Sequence, residues 1–291
     1  RLEVPDRRLR GAVAASTRHL LLGAEGPYGA AALDALGFHA EAASLLAGDP
    51  LAAHRHDPAA HLVAVARHWA LTRDPDFARA AATLTGALVA RAGAEVDAEA
   101  MADLAELLDA ADEPRAAADL RAVVVSREPT TGVGDGDTPS LERLLRTANG
   151  TWTWPGPSGA GGPVGHDLRA NAELVGAVRD QLVLERDRGL ALAPTVPDPW
   201  LGQGWEVHDL PTRHGSLSYA VRWHGDRPAL LWDLARRPVD PATTLTAPGL
   251  DASWSTVEPV GEALLAPVPV PERGPRRGLT IPVSIEPGRR S

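Results

Sequence analysis

The chain contains no cysteine and no lysine, and only one methionine, two tyrosines and two phenylalanines among its 291 residues. The lack of cysteine excludes disulfides, thiolate nucleophiles and cysteine-ligated zinc. The 29 basic residues are all arginine, and 38 acidic residues give a net charge of -9. This balance argues against a nucleic-acid or anionic-membrane partner. No apolar run approaches the roughly 18 residues that span a bilayer, and no signal-peptide pattern is visible, so we expect a cytoplasmic protein.

Proline and tryptophan divide the chain into two parts. Only six of the 26 prolines precede Glu128, and Trp69 is the only one of the eight tryptophans in that part. The first part is rich in Ala and Leu at helical spacing, whereas the last part has short alternating runs between turns. We therefore predict a helical domain over residues 1–187 and a β domain over residues 188–291.

Start signals define several helices of the first part. Asp57-Pro58 and Asp74-Pro75 each place an N-cap residue before a proline at the first helical position. A last helix is predicted from about Asp167 to Glu185. Short connections between such helices favour antiparallel pairs, so the sequence predicts an array of αα-hairpins.

The period of the apolar residues changes to two in the second part. Alternation over residues 216–223 predicts a half-buried strand, and Gly225-Asp226 marks a hairpin turn after it. Short strands between Pro and Gly turns are typical of an antiparallel β-sandwich. Further strands are predicted at 190–193, 205–210, 229–234, 262–265 and 279–285. The predicted core of the sandwich includes Tyr219, Val221, Trp223, Leu231 and Leu234.

Several segments resemble glycoside hydrolases of the six-hairpin superfamily, which have an (α/α)6 toroid and include glucoamylase-like and debranching-enzyme-like members. In the helical part these are FHAEA (38–42), HWALTRD (68–74), WTWP (152–155) and GHD (165–167). The tail segments WLGQ (200–203), LPTRHG (210–215) and AVRWHG (220–225) are similar to the β-sandwich that follows the toroid in many actinobacterial members. The resemblance implies a partial toroid followed by a sandwich.

The resemblance also implies a set of site residues. Glycoside hydrolysis needs two carboxyl groups beside the scissile bond, and Asp57 and Asp167 are the candidates, with Glu173 as a further acid. Plain N-capping explains Asp57 and Asp167 equally well. The substrate-binding candidates are Trp152 and Trp154, whose indole faces suit sugar rings, together with His166 and His56.

Two departures from the family pattern bear on the activity. Members tend to carry acids at positions where this chain has His54-Arg55-His56 and Gly156. We therefore expect a carbohydrate-active protein that either hydrolyses glycosidic bonds or binds its substrate as a degenerate relative. The alternative is a non-catalytic helical-hairpin scaffold with a β-sandwich. A carbohydrate ligand is the expected partner, and no nucleic-acid or membrane partner and no cofactor is expected. No metal is expected either, since the His54/His56 pair is predicted in a loop rather than at a strand end.

Overall fold

The structure, a computed structural model, describes residues 1–47, 57–126, 140–156, 166–186, 189–237 and 242–269. Within these ranges the chain forms nine α-helices and nine strands. The helices are α1 Arg7–Gly23, α2 Gly26–Ala35, α3 His39–Ala47, α4 Pro58–Thr72, α5 Pro75–Ala92, α6 Ala98–Ala110, α7 Pro114–Ser126, α8 Leu141–Thr147 and α9 Leu168–Leu182. None of the described helices is long and apolar enough to cross a membrane.

Consecutive helices pair as hairpins, and neighbouring hairpins contact each other through one helix of each pair. Helix α2 packs on α3, α4 on α5 and α6 on α7, while α2 also contacts α4 and α4 contacts α6. The helices α2, α4 and α6 thus form an inner row, and α9 extends this row because it contacts α2. The predicted αα-hairpins are confirmed for this part of the chain.

The strands form two sheets. The strands are β1 Leu2–Glu3, β2 Val183–Arg186, β3 Gly189–Leu192, β4 Trp205–Thr212, β5 Gly215–His224, β6 Arg227–Ala235, β7 Thr244–Ala247, β8 Asp251–Thr256 and β9 Val260–Leu264. One sheet has the order β1-β4-β5-β6-β9 and the other β2-β3-β7-β8. The mixed helical and β organisation is therefore confirmed, and the predicted strand at 279–285 lies outside the described residues.

Helix α9 lies between two apolar cores. Its Ala172 and Val175 belong to the core of the helical hairpins. Its Leu174, Val178 and Leu182 follow one another at four-residue steps and belong to a second core, which both sheets share. The predicted boundary at 187/188 falls between β2 and β3, which pair with each other.

Three details of the sequence-based prediction are wrong. The last helix ends at Leu182 rather than Glu185, because Val183 begins β2 and pairs with Leu192 of β3. Strand β6 buries Leu230 instead of Leu231, so the buried position at this point of the strand is shifted by one residue from the prediction. Trp223, also predicted in the core, is only half-buried. Strand β7 runs parallel to β3, because the chain forms β4, β5 and β6 in the other sheet before it returns.

Adjacent leucines of β6 test this register. Leu230 is fully buried, whereas Leu231 points to the other face and is half-buried. We expect Leu230→Ala to lower the free energy of unfolding by about 2–5 kcal/mol, since it leaves a cavity in the core. Leu231→Ala is the matched control and should cost clearly less in the same urea titration. Equal losses would contradict the register.

Candidate functional site

A charged cavity lies where the inner helices meet the sheets. Its volume is about 280 Å³, and its walls come from α4, α6, α9, β2 and the turn between β4 and β5. The charged side chains that line it are Arg67, Arg179, Arg213, Asp97, Glu99, Asp103, Asp180 and Glu185. We refer to this group as the charged cavity.

Arg213 enters the charged cavity from the tip of the β4–β5 hairpin. This turn is tight, and Gly215 has a φ of +124°, where an added Cβ would lie 2.2 Å from the carbonyl oxygen of Ala235. The Arg213 guanidinium donates through Nη2 to both carboxylate oxygens of Asp103 at 2.9 Å, and it also pairs with Glu99. A turn residue of the sheet thus makes the main polar contact with α6.

Asp103 is an acid inside the apolar face of α6. It is 7% exposed and lies among fully buried leucines of the same helix. Burial raises its pKa from 3.8 to about 7, against the opposing effect of the Arg73 guanidinium, which lies 3.9 Å away. Arg213 acts in the same direction as Arg73, because a neighbouring cation stabilises the ionised form. Asp103 can therefore exchange a proton close to neutral pH.

Glu185 is held by two arginines on the opposite wall. Arg179 is 5% exposed, and it forms an ion pair with Glu185 and donates to the Pro211 carbonyl at 2.9 Å. The backbone N–H of Arg213 donates to Glu185 Oε2 at 3.2 Å. Because its side chain binds Asp103, Arg213 connects the two carboxyl groups.

Arg67 differs from the other arginines of the charged cavity. Its guanidinium makes no hydrogen bond or ion pair with any residue that the structure describes. Burial lowers its pKa, and the like charge of Arg179 adds to this effect, whereas Glu185, Asp180 and Asp34 oppose it. Burial also raises the pKa of Asp180. Within the described part of the chain, the N–H donors of Arg67 thus have no protein partner and can bind a ligand in the cavity.

The predicted catalytic acids lie elsewhere. Asp57 and Asp167 cap α4 and α9, and each accepts hydrogen bonds from two backbone N–H groups of the first helical turn, at 3.0–3.3 Å. Glu173 pairs with Arg169 one turn earlier on the exposed side of α9. These three acids do not line the charged cavity. The N-capping interpretation accounts for Asp57 and Asp167, and their catalytic roles stay predictions.

The predicted tryptophan pair separates into a core residue and a surface residue. Trp154 is 6% exposed, and its Nε1 donates to Thr147 Oγ1 at 3.2 Å. Trp152 is half-buried with a φ of +59°, and Arg8 lies over its ring, 5.6 Å from the centroid. Of the two, only Trp152 keeps part of its side chain accessible.

A short polar network joins Trp152 to the predicted His166. Asn171 donates to the Trp152 carbonyl at 3.2 Å, and its Oδ1 lies 2.7 Å from Nε2 of His166. The ring of His19 packs edge-on against His166 at 4.6 Å. These two predicted residues therefore belong to one local cluster, and His56 lies outside the described residues.

Sequence reasoning missed every residue of the charged cavity. One signal was present, since Asp103 and Arg179 interrupt apolar stripes of their helices, where a charged residue is uncommon without a partner. The partner residues lie on other elements far along the chain, and no local pattern identifies them.

Comparison of the chain with models of known families, with curated proteins and with solved structures gives no match.

The raised pKa of Asp103 predicts how stability depends on pH. The folded chain keeps the Asp103 proton between about pH 4 and 7, where the unfolded chain has released it. The free energy of unfolding of the wild type should therefore fall over this range relative to Asp103→Asn, which cannot ionise. Urea titrations at several pH values measure the difference.

The exposed acid Asp109 of the same helix provides the matched control, as Asp109→Asn. Wild-type stability that rises with pH relative to Asp103→Asn would mean that the arginines outweigh burial, which contradicts the prediction.

Proposed function

We propose that the chain is a carbohydrate-active protein related to (α/α)6-toroid glycoside hydrolases, with the charged cavity as its ligand site. The stacking of hairpins through an inner row of helices supports a partial toroid, and the described residues form nine α-helices, against twelve in a full ring. The helices range from 7 to 18 residues, which argues against a regular solenoid.

The lining of the charged cavity suits a polyhydroxylated ligand. A sugar hydroxyl both donates and accepts hydrogen bonds, so that it can use a carboxylate and a guanidinium at the same time. Acids outnumber arginines five to three in the lining, and a neutral ligand meets no net repulsion from this excess. The observation that carries the proposal is the combination, in one cavity, of Asp103, whose pKa burial raises to about 7, with Arg67, which has no hydrogen bond or ion pair within the described residues.

The same cavity supplies the two carboxyl groups that glycoside hydrolysis requires. In this proposal Asp103 donates the proton to the leaving oxygen, because its raised pKa keeps a large protonated fraction near pH 7. Glu185, in its ion pair with Arg179, is the ionised partner that activates water or attacks the sugar. These residues take the roles that the family resemblance assigned to Asp57 and Asp167.

Sugar binding provides the first test. We expect Arg67→Met to weaken the affinity for the best ligand of a mono- and oligosaccharide panel by about tenfold or more, since a charged hydrogen bond is lost. The loss of stability should be small, because the guanidinium makes no hydrogen bond or ion pair with the described residues and acts on Glu185 and Asp180 only through space. Isothermal titration calorimetry measures the affinity, and Arg79→Met, which alters an exposed arginine of α5, is the control.

Trp152→Ala separates the two possible locations of the ligand. If it abolishes binding and Arg67→Met does not, the ligand lies on the predicted tryptophan loop and the proposed site is wrong.

Loss of aryl-glycoside hydrolysis by about 10²-fold or more in Asp103→Asn supports catalysis. Binding without turnover favours a degenerate relative, and the absence of both favours the scaffold hypothesis.

A further inference from the structure

A second cluster of ionisable side chains lies apart from the lining of the charged cavity. It comprises Asp34 at the end of α2, His39 at the start of α3 and His68 within α4. The Nδ1 atom of His39 lies 2.8 Å from Asp34 Oδ1, and that of His68 lies 2.9 Å from the same oxygen and 3.0 Å from Oδ2. Two imidazoles thus converge on one carboxylate.

The carboxylate is completely buried. Asp34 is 0% exposed, and within the described ranges its side chain has hydrogen bonds only to the two imidazoles. A buried anion requires positive charge or several strong donors beside it. Arg67 acts on Asp34 through space, without a hydrogen bond or ion pair between these two described residues. The site therefore suits a bound cation.

The backbone holds the three groups in position. Gly37 has a φ of +86°, and the N–H of Phe38 donates to the Leu33 carbonyl at 2.9 Å, so that the chain reverses within a few residues between α2 and α3. This turn brings His39 back to Asp34. The ring of Phe77 packs 4.1 Å from the ring of His68 and fixes its orientation.

We propose that Asp34, His39 and His68 form a binding site for a divalent transition metal, with Zn²⁺ as the preferred ion. One carboxylate oxygen and two imidazole nitrogens form a typical zinc ligand set. The three ligand atoms lie within 4.8 Å of one another. With zinc–ligand bonds of about 2.0–2.1 Å, tetrahedral geometry places ligand atoms roughly 3.3 Å apart.

The two nitrogen–oxygen distances require only a small adjustment. The present hydrogen-bonded separations of 2.8–2.9 Å must open by roughly half an ångström. The His39 side chain is 34% exposed, which provides a path for the ion and room for a water ligand. This proposal departs from the expectation, drawn from the sequence, that the protein needs no metal.

The test must separate metal ligation from a purely structural hydrogen-bond network. His39→Asn does so, because the Asn amide lies where the Nδ1 atom was and can still donate to Asp34, but it is a poor zinc ligand. His208→Asn is the matched control, since His208 is also partly exposed and lies 3.2 Å from a carboxylate, that of Glu206.

The full chain, stripped with a chelator, is titrated with Zn²⁺ by calorimetry and with Co²⁺ by visible absorption. We expect one saturable site in the wild type, a Co²⁺ spectrum of low-symmetry coordination, and a rise of the melting temperature with Zn²⁺. His39→Asn should weaken Zn²⁺ binding by about tenfold or more, a loss at least as large as that of an outer-shell partner, whereas His208→Asn should not change it.

Two results would overturn the proposal. One is the absence of saturable Zn²⁺ binding to the wild type. The other is equal Zn²⁺ affinity in the wild type and His39→Asn, which would assign the ion to other histidines. Circular dichroism of the metal-free variants verifies that both are folded, and neither result depends on whether the protein binds sugars.

Discussion

The contact of Arg213 with Asp103 joins the sheets to the helices. Arg213 is contributed by a hairpin tip, and its side chain binds α6 while its backbone N–H binds Glu185 of β2. Its carbonyl oxygen accepts from Arg237 at 3.0 Å, and Arg237 also donates to the last carbonyls of α4. Arg213 thus contacts two walls of the charged cavity, α6 and β2, at once.

The charged cavity combines groups that an apolar core would exclude. A buried ion pair seldom stabilises a protein more than well-packed apolar side chains do, because both charges lose their hydration. Here burial raises the pKa of Asp103 to about 7, and Arg67 has no hydrogen bond or ion pair within the described residues. Such costs are common where a site must bind or react, and they are the physical reason for locating function in this cavity.

Local patterns predicted the parts of the fold that local physics determines. The N-caps Asp57 and Asp167, the alternation of β5 and the turn at Gly225 need only a few neighbouring residues to be recognised. The end of α9 and the choice between Leu230 and Leu231 as the core residue cannot be recognised in this way, since apolar residues are adjacent in both places. Pairing with β3 and packing against the second core decide them.

The candidate site was beyond sequence reasoning for a related reason. Its residues come from five elements that only the tertiary structure brings together, and the sequence shows Asp103 within an apolar stripe without showing its partners. The cluster of Asp34 and His68 joins residues 34 positions apart. In contrast, Trp152 and His166 were chosen from the sequence because they lie close together in a segment rich in Trp, Pro and Gly, and their binding roles stay predictions.

A double-mutant cycle between Arg213 and Asp103 tests the central claim most directly. The variants are Arg213→Gln, Asp103→Asn and their combination, with free energies of unfolding measured at about pH 8, above the pKa of Asp103. If this pair holds the hairpin tip on α6, the coupling energy should be favourable and about 2 kcal/mol or more. A coupling energy near zero would mean that the sheets and helices are held together by other contacts, and it would contradict the account.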